Sequence, residues 1–160
     1  AVARLLAQFD RLNYRFDEGR LIRQSTTRVG VAVDVDGELF VASVDALASK
    51  SVEQISEQIR QAVEGLRAGN ADLMRITPGV FTISNLGATG IESFAAIINP
   101  PEAAILAIGA IKTVPTCTDS GIVAQPRVTL TLSVDHRVVN GKYAARFLAA
   151  LTKEIESPAA

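Results

Sequence analysis

Nine consecutive residues, Ala103 to Ile111, carry no charged or hydrogen-bonding side chain. The run falls well short of the roughly 18 residues of a membrane span. Asn99-Pro100-Pro101 precedes it as a rigid corner, because proline fixes φ and removes a backbone donor. An apolar run of this length behind a corner reads as a strand buried on both faces. Leu39–Val44 reads the same way. Before it, Val29, Val31, Val33 and Val35 alternate with smaller or polar residues, and Asp36-Gly37 between the two segments predicts a hairpin turn. Val80–Asn85 is a short strand followed by a glycine-containing turn over Leu86–Gly90. Arg127–Val134, with Val128, Leu130, Leu132 and Val134 alternating, is a half-buried one.

Helical periodicity marks three other segments. Ser51–Gly69 opens with a capping box, Ser51 with Gln54, and carries the apolar stripe Val52, Ile55, Ile59, Val63 and Leu66. Gly141–Glu156 turns Tyr143, Ala144, Phe147, Leu148, Leu151 and Ile155 inward, and Ala1–Leu12 spaces Leu5, Leu6, Phe9 and Leu12 helically. Thr116–Gln125, polar and containing Asp119-Ser120-Gly121, is a surface loop or hairpin tip. Five or six strands and about three helices, with strands that read as fully buried, define an α/β chain: a two-layer sandwich with a mixed sheet.

Charge and cysteine content narrow the function. With 16 Lys and Arg against 17 Asp and Glu, the chain has no electrostatic footprint for nucleic acid or an anionic membrane. Cys117, alone, excludes an intrachain disulfide and a multi-cysteine metal site, and the expected compartment is the reducing cytoplasm. The chemistry concentrates in Ser133-Val134-Asp135-His136-Arg137-Val138-Val139-Asn140-Gly141, between the last strand and the last helix. His136 is the only histidine, and histidine is the usual general base near neutral pH. Asn140 stands where the last helix needs a cap. Arg137 reads as a member of a surface or structural ion pair.

His136-Arg137-Val138-Val139-Asn140-Gly141 resembles the His-x-x-x-Asp-Gly motif of the dihydrolipoamide acyltransferases, the catalytic cores of the 2-oxo acid dehydrogenase complexes. Three further stretches resemble the same family in the same order. They are Val29-Gly30-Val31-Ala32-Val33-Asp34, Gly79-Val80-Phe81-Thr82-Ile83-Ser84-Asn85-Leu86-Gly87, and Ile97-Ile98-Asn99-Pro100-Pro101-Glu102-Ala103-Ala104-Ile105-Leu106-Ala107-Ile108-Gly109. The six-residue motif alone is weak, since chloramphenicol acetyltransferases and peptide-synthetase condensation domains carry related forms. The four stretches together are specific, and the likeness runs from about Leu5 to Ile155.

The resemblance implies a chloramphenicol acetyltransferase-like, coenzyme A-dependent fold over residues 1–160. It implies transfer of an acyl group, acetyl or branched-chain, between the dihydrolipoamide of a lipoyl domain and coenzyme A, without a metal. His136 is then the base that takes the thiol proton, Ser84 the hydroxyl that meets the oxyanion, and Asn140 a residue that holds local geometry. Asn140 departs from the commoner Asp, and Pro78-Gly79 from a common glycine pair; Ala42 stands where proline is common. The family also implies a homotrimer whose sites lie between subunits, with partners in lipoyl domains and the decarboxylase and dihydrolipoamide dehydrogenase components. The opening residues, without an initiator Met or a cap, read as the broken end of a larger chain. The N-terminal part of the catalytic domain, the lipoyl domain and the partner-binding domain are expected outside it. The tail Glu156-Ser157-Pro158-Ala159-Ala160 has no large apolar anchor, from which trimers with weak higher assembly are expected. Two other readings stand beside this one: a non-catalytic structural core subunit, and a stand-alone acetyltransferase of the chloramphenicol type. The stretch Ile97–Gly109 argues against the second.

Overall fold

The computed structural model describes residues 1–25, 27–44, 49–70, 79–119 and 121–157. A five-stranded sheet organises them. Its strands β3 (Val29–Val35), β4 (Glu38–Val44), β5 (Phe81–Asn85), β6 (Ala104–Ile108) and β9 (Leu130–Val134) lie in the order β4-β3-β5-β6-β9. The central three are parallel and each edge strand is antiparallel to its neighbour, so the sheet is mixed, as the sequence predicts. Two two-stranded ribbons are added to it: β1 (Tyr14–Asp17) with β2 (Arg20–Arg23), and β7 (Lys112–Thr118) with β8 (Gly121–Arg127). The helices are α1 (Val2–Leu6), α2 (Val52–Arg67) and α3 (Gly141–Glu156). Among the described residues no helix is long and apolar enough to cross a membrane.

Register decides what each sheet face carries. Val29, Phe81, Ala104 and Val134 stand side by side across β3, β5, β6 and β9. With their i+2 neighbours Val31, Ile83, Leu106 and Leu132 they form one apolar face. Phe147 of α3 closes on it, its ring 5.6 Å from Phe81. Phe9 meets both Tyr143 and Phe147 edge-on at 5.4 Å, an arrangement aromatic quadrupoles favour. Leu6, Leu12, Leu106 and Leu151 are fully buried around these rings. The opposite face carries Gly30, Thr82, Ile105 and Ser133. There the irregular segment before β6 lies over it, and the Ser133 hydroxyl donates to the Ala96 carbonyl at 2.8 Å.

Local signals in the sequence are realised closely. At the β3–β4 turn Asp36 and Gly37 both have positive φ, 54° and 86°, the hand that matches strand twist and that glycine reaches without steric cost. Ser51 accepts from the Gln54 N–H, and the Gln54 side chain accepts from the Ser51 N–H, so the capping box is present. At the far end of α2 the N–H groups of Gly69 and Asn70 donate to the carbonyls of Leu66 and Gly65, a Schellman ending.

Other expectations change. Leu39–Val44 is no doubly buried strand: β4 is a sheet edge, and Leu39 is 69% exposed. The run Ala103–Ile111 is strand only over Ala104–Ile108, and Ile111 is exposed. The opening helix stops at Leu6 and is followed by a separate 3₁₀ turn, Asp10–Asn13. On α2 only Leu66 is fully buried, Val52 is exposed, and a cavity of about 370 Å³ separates Ile55 and Ile59 from Val31, Val44 and Ile83. The polar stretch Thr116–Gln125 is most of the β7–β8 ribbon, with Ser120 outside the described residues. Pro115 and Pro126 argue against strands there, yet each sits in a ribbon where every strand is an edge. The β1–β2 ribbon, turning at Glu18 and Gly19, is absent from the sequence reading.

Glu102 is the one buried acidic side chain among the described residues, 2% exposed. The Thr82 hydroxyl donates to its Oε2 at 2.6 Å, while Oε1 has no partner in good hydrogen-bond geometry. Loss of solvent pushes its carboxyl above the ordinary range, opposed chiefly by Thr82 and more weakly by the Gly79 N–H and Asn99 side chain. The folded chain therefore holds this proton more tightly than the unfolded chain does. Its stabilising contribution is present in acid and is lost as pH rises through the raised value. Glu102→Gln keeps the shape and an acceptor for Thr82 without titrating. Denaturation at about pH 5 and about pH 8 should show the native chain losing stability relative to this variant at the higher pH. Equal differences at both would remove Glu102 as the source.

Candidate active site

The loop between β9 and α3 is held from below by backbone and from the side by two valines. The Asp135 N–H donates to the Ala103 carbonyl at 2.9 Å, and the Val138 and Val139 N–H groups both donate to the Asp135 carbonyl at 2.9 Å. Val138 and Val139 are buried in the core. His136 and Arg137, between these anchors, are exposed. Asn140 caps α3 as the sequence predicts, its Oδ1 accepting from the Tyr143 N–H at 2.9 Å. The His136 ring lies beside the first turn of that helix, its Cε1 3.9 Å from where a Cβ on Gly141 would stand. Among the described residues no side chain hydrogen-bonds the imidazole.

Arg137 forms the ion pair expected of it. Its Nη2 lies 2.7 Å from Asp135 Oδ2 and its Nε 3.0 Å from Asp135 Oδ1. The guanidinium also sits 4.2 Å from the centroid of the Phe16 ring on β1, a cation–π contact. Hydrogen bonds from Arg137, ahead of weaker charge effects that include His136, hold the Asp135 carboxyl below its usual range.

Ser84 lies elsewhere. It is the fourth residue of β5, on the face opposite Phe81 and Ile83, and is half-buried. A strand-end serine ordinarily satisfies local backbone, but among the described residues this hydroxyl has no hydrogen-bond partner. The backbone beyond it turns sharply: the Leu86 N–H donates to the Ile108 carbonyl, and the Gly87 N–H to Asn85 Oδ1. Ile91 and Glu92 cross over Gly109 so closely that a Cβ there would overlap the Glu92 carbonyl, which makes glycine obligatory.

The sheet register fixes the relation of the two residues. Ser84 is level with Ala107 and Thr131, whereas the end of β9 that leads to His136 is level with Phe81. His136 and Ser84 of one chain therefore occupy opposite ends of the sheet, about 15 Å apart along the strands and about 10 Å across them. The chain brings His136 and Asn140 together and keeps Ser84 away. Cys117 is exposed on β7, and among the described residues no cluster of His, Cys, Asp and Glu has the makings of a metal site. Pro78 and the tail from Pro158 lie outside the described residues. Sequence reasoning missed Phe16. The alternation Tyr14, Phe16 ahead of Glu18-Gly19 is the signal from which a hairpin beside the motif is legible.

The architecture is a five-stranded mixed sheet with helices on its apolar face and a histidine loop at one end. A chloramphenicol acetyltransferase shares it over 95% of this chain and 72% of its own, with TM-score 0.55 at 14% identity, a likeness of fold alone. The model of the 2-oxoacid dehydrogenases acyltransferase (catalytic domain) family matches residues 1–160, and the chain belongs to that family. It is 35% identical over 147 residues to the dihydrolipoyllysine-residue acetyltransferase component of the pyruvate dehydrogenase complex of Zymomonas mobilis. That match covers 92% of this chain and 33% of the relative, so the chain spans about a third of the relative's length. A probable dihydrolipoamide acetyltransferase from Listeria monocytogenes superposes with TM-score 0.91 at 29% identity, over 99% of this chain and 70% of that one. The dihydrolipoamide acetyltransferase of Azotobacter vinelandii, solved to study a serine, a histidine and an asparagine in its catalytic mechanism, gives TM-score 0.87 at 32% identity. It is matched over 96% of this chain and 64% of its own.

Removing the Asn140 cap should cost stability. Asn140→Ala leaves the Tyr143 N–H without its acceptor, and a loss of about 1 kcal/mol is expected in denaturant titration. An unchanged midpoint would show that water replaces the side chain without penalty.

Proposed function

We propose that the chain is the catalytic core of a dihydrolipoamide acyltransferase, moving an acetyl group between dihydrolipoamide on a lipoyl domain and coenzyme A. The observation that carries this is the pair of free side chains: His136 and Ser84, each without a hydrogen-bond partner among the described residues. Ser84, His136 and Asn140 also stand at the same intervals along the chain as the serine, histidine and asparagine studied in the Azotobacter enzyme. The acetyl group is favoured over a branched-chain one by the pyruvate dehydrogenase relatives.

The reaction needs a nucleophilic thiol and a place for an oxyanion. A free thiol titrates near 8.5, so at neutral pH only a few per cent is thiolate. The His136 imidazole takes the coenzyme A thiol proton as the sulfur attacks the thioester carbonyl of acetyl-dihydrolipoamide. The carbonyl oxygen becomes an oxyanion, to which the Ser84 hydroxyl donates. Collapse breaks the carbon–sulfur bond to the dihydrolipoamide, and the departing sulfur takes the proton from the imidazolium. Asn140 holds the loop by capping α3 and contributes geometry rather than charge.

Residues at opposite ends of one sheet cannot serve one acyl group. The site is therefore built from two copies, His136 from one and Ser84 from its neighbour, and a closed ring of three satisfies every copy equally. The exposed apolar side chains of Ile97, Ile111 and Ile122 offer surface for such contacts. In the intact protein the partners are lipoyl domains and the decarboxylase and dihydrolipoamide dehydrogenase components. The lone exposed Cys117 suits the reducing cytoplasm.

His136→Ala should lower turnover of dihydrolipoamide with acetyl-coenzyme A by roughly two to four decades, and Ser84→Ala by roughly two to three. Mixing decides the shared site. Co-assembled in equal amounts, the two variants should regain about a quarter of the wild-type sites, because a site then draws its intact His136 and Ser84 from different copies. No recovery on mixing would place both residues in sites built within one chain. Full turnover of each variant alone would remove both residues from the reaction, and absence of turnover in the unaltered protein with assembly retained would favour a non-catalytic core subunit.

A further inference from the structure

The two residues that flank His136 are tied to each other across it. Asp135 accepts from the Arg137 backbone N–H at 2.9 Å and from its Nε and Nη2 at 3.0 and 2.7 Å. Three donors of one residue on one carboxylate fix Arg137 relative to Asp135, and so close the loop around the single residue between them. The guanidinium does not stop there. Its carbon stands over Phe16, 4.2 Å from the ring centroid, and Phe16 packs against the core from the β1–β2 ribbon. Asp135, in turn, is fixed by its own N–H on the Ala103 carbonyl of the central sheet.

Nothing in stability requires this arrangement. The Arg137 side chain is 63% exposed, and an ion pair in solvent contributes little to folding. The loop is already pinned by buried Val138 and Val139 and by the Asn140 cap. What those anchors leave less constrained is the pair between Asp135 and Val138, His136 and Arg137, which carries the imidazole. We infer that Asp135, Arg137 and Phe16 form a clamp that positions His136, with Arg137 acting as a positioning residue through its fork and its stacking rather than as a contact to substrate. The inference rests on the reading of His136 as the base. It gives the β1–β2 ribbon a role in turnover: a short ribbon of marginal stability alone is held against the loop and supplies a flat wall for the guanidinium.

The clamp requires both guanidinium properties, and lysine has neither the fork nor the plane. In the intact, assembled protein, Arg137→Lys, Asp135→Asn and Phe16→Leu should each lower kcat by roughly tenfold, since small misplacement of a base has large kinetic effects. The KM for coenzyme A and the melting temperature should stay near wild type. Asp135→Asn combined with Arg137→Lys should be no worse than either alone, because both break one device. A raised KM for coenzyme A with kcat retained would make Arg137 a ligand of the coenzyme A phosphates and overturn the inference. So would unchanged turnover in all three variants, or losses that track a fall in melting temperature. His136→Ala separates the two levels. If it remains active, the reading of His136 has failed; if it is inactive while the three clamp variants turn over normally, only the clamp has failed.

Discussion

The packing of Phe147 against Phe81 and Phe9 is the contact from which the position of everything functional follows. It presses α3 onto the apolar face of the sheet, and the axis of α3 determines where its N-terminus lies. Truncating a fully buried aromatic side chain costs about 3–5 kcal/mol. Against a total stability of about 5–15 kcal/mol for a domain, that is a large share. Once α3 is seated, Asn140 begins it, Val138 and Val139 drop into the core ahead of it, and His136 is left outside. The exposed histidine is a consequence of the buried aromatics.

The two faces of the sheet divide the work. One is apolar, covered by helices, and positions the histidine loop from β9. The other carries small and polar side chains, Gly30, Thr82 and Ser84 among them, so that segments of backbone approach closely. A Cβ on Gly30 would stand 3.0 Å from the Thr82 hydroxyl, which is itself committed to Glu102. This crowding accounts for a carboxyl tolerated in the interior: the neutral acid is the form that burial favours, and it needs no cation. It also leaves Ser84, two residues beyond Thr82, at the rim where the crowding ends.

What was legible in the sequence was local. The capping box of Ser51 and Gln54, the Asp36-Gly37 turn and the Asn140 cap each depend on residues within one turn, and each is present. The mixed sheet was legible because runs of apolar residues mark strands whatever their neighbours. Strand order was not. Leu39–Val44 is as apolar as a central strand, yet among the described residues no strand lies beyond β4, and Leu39 is exposed. The ribbons were hidden for a related reason: their strands pair with each other alone, and neither alternation nor burial is strict in an isolated pair. The separation of Ser84 from His136 is a matter of register across β5, β6 and β9, which no single segment encodes.

The same distinction bears on Asn140, where an aspartate is the commoner residue of the motif. Either side chain accepts a hydrogen bond at a helix start, and an aspartate adds a favourable charge–dipole interaction there of about 0.3–1 kcal/mol. That gain would place a second carboxylate within one turn of the imidazole. Asp135 is already beside it, and its charge is taken up by Arg137 at 2.7 Å. With asparagine at 140, both acceptors of the loop are engaged, Asp135 by Arg137 and Asn140 by the Tyr143 N–H. Among the described residues the imidazole then has no competing partner on its own chain, which is the condition that the proposed role as base for a thiol requires.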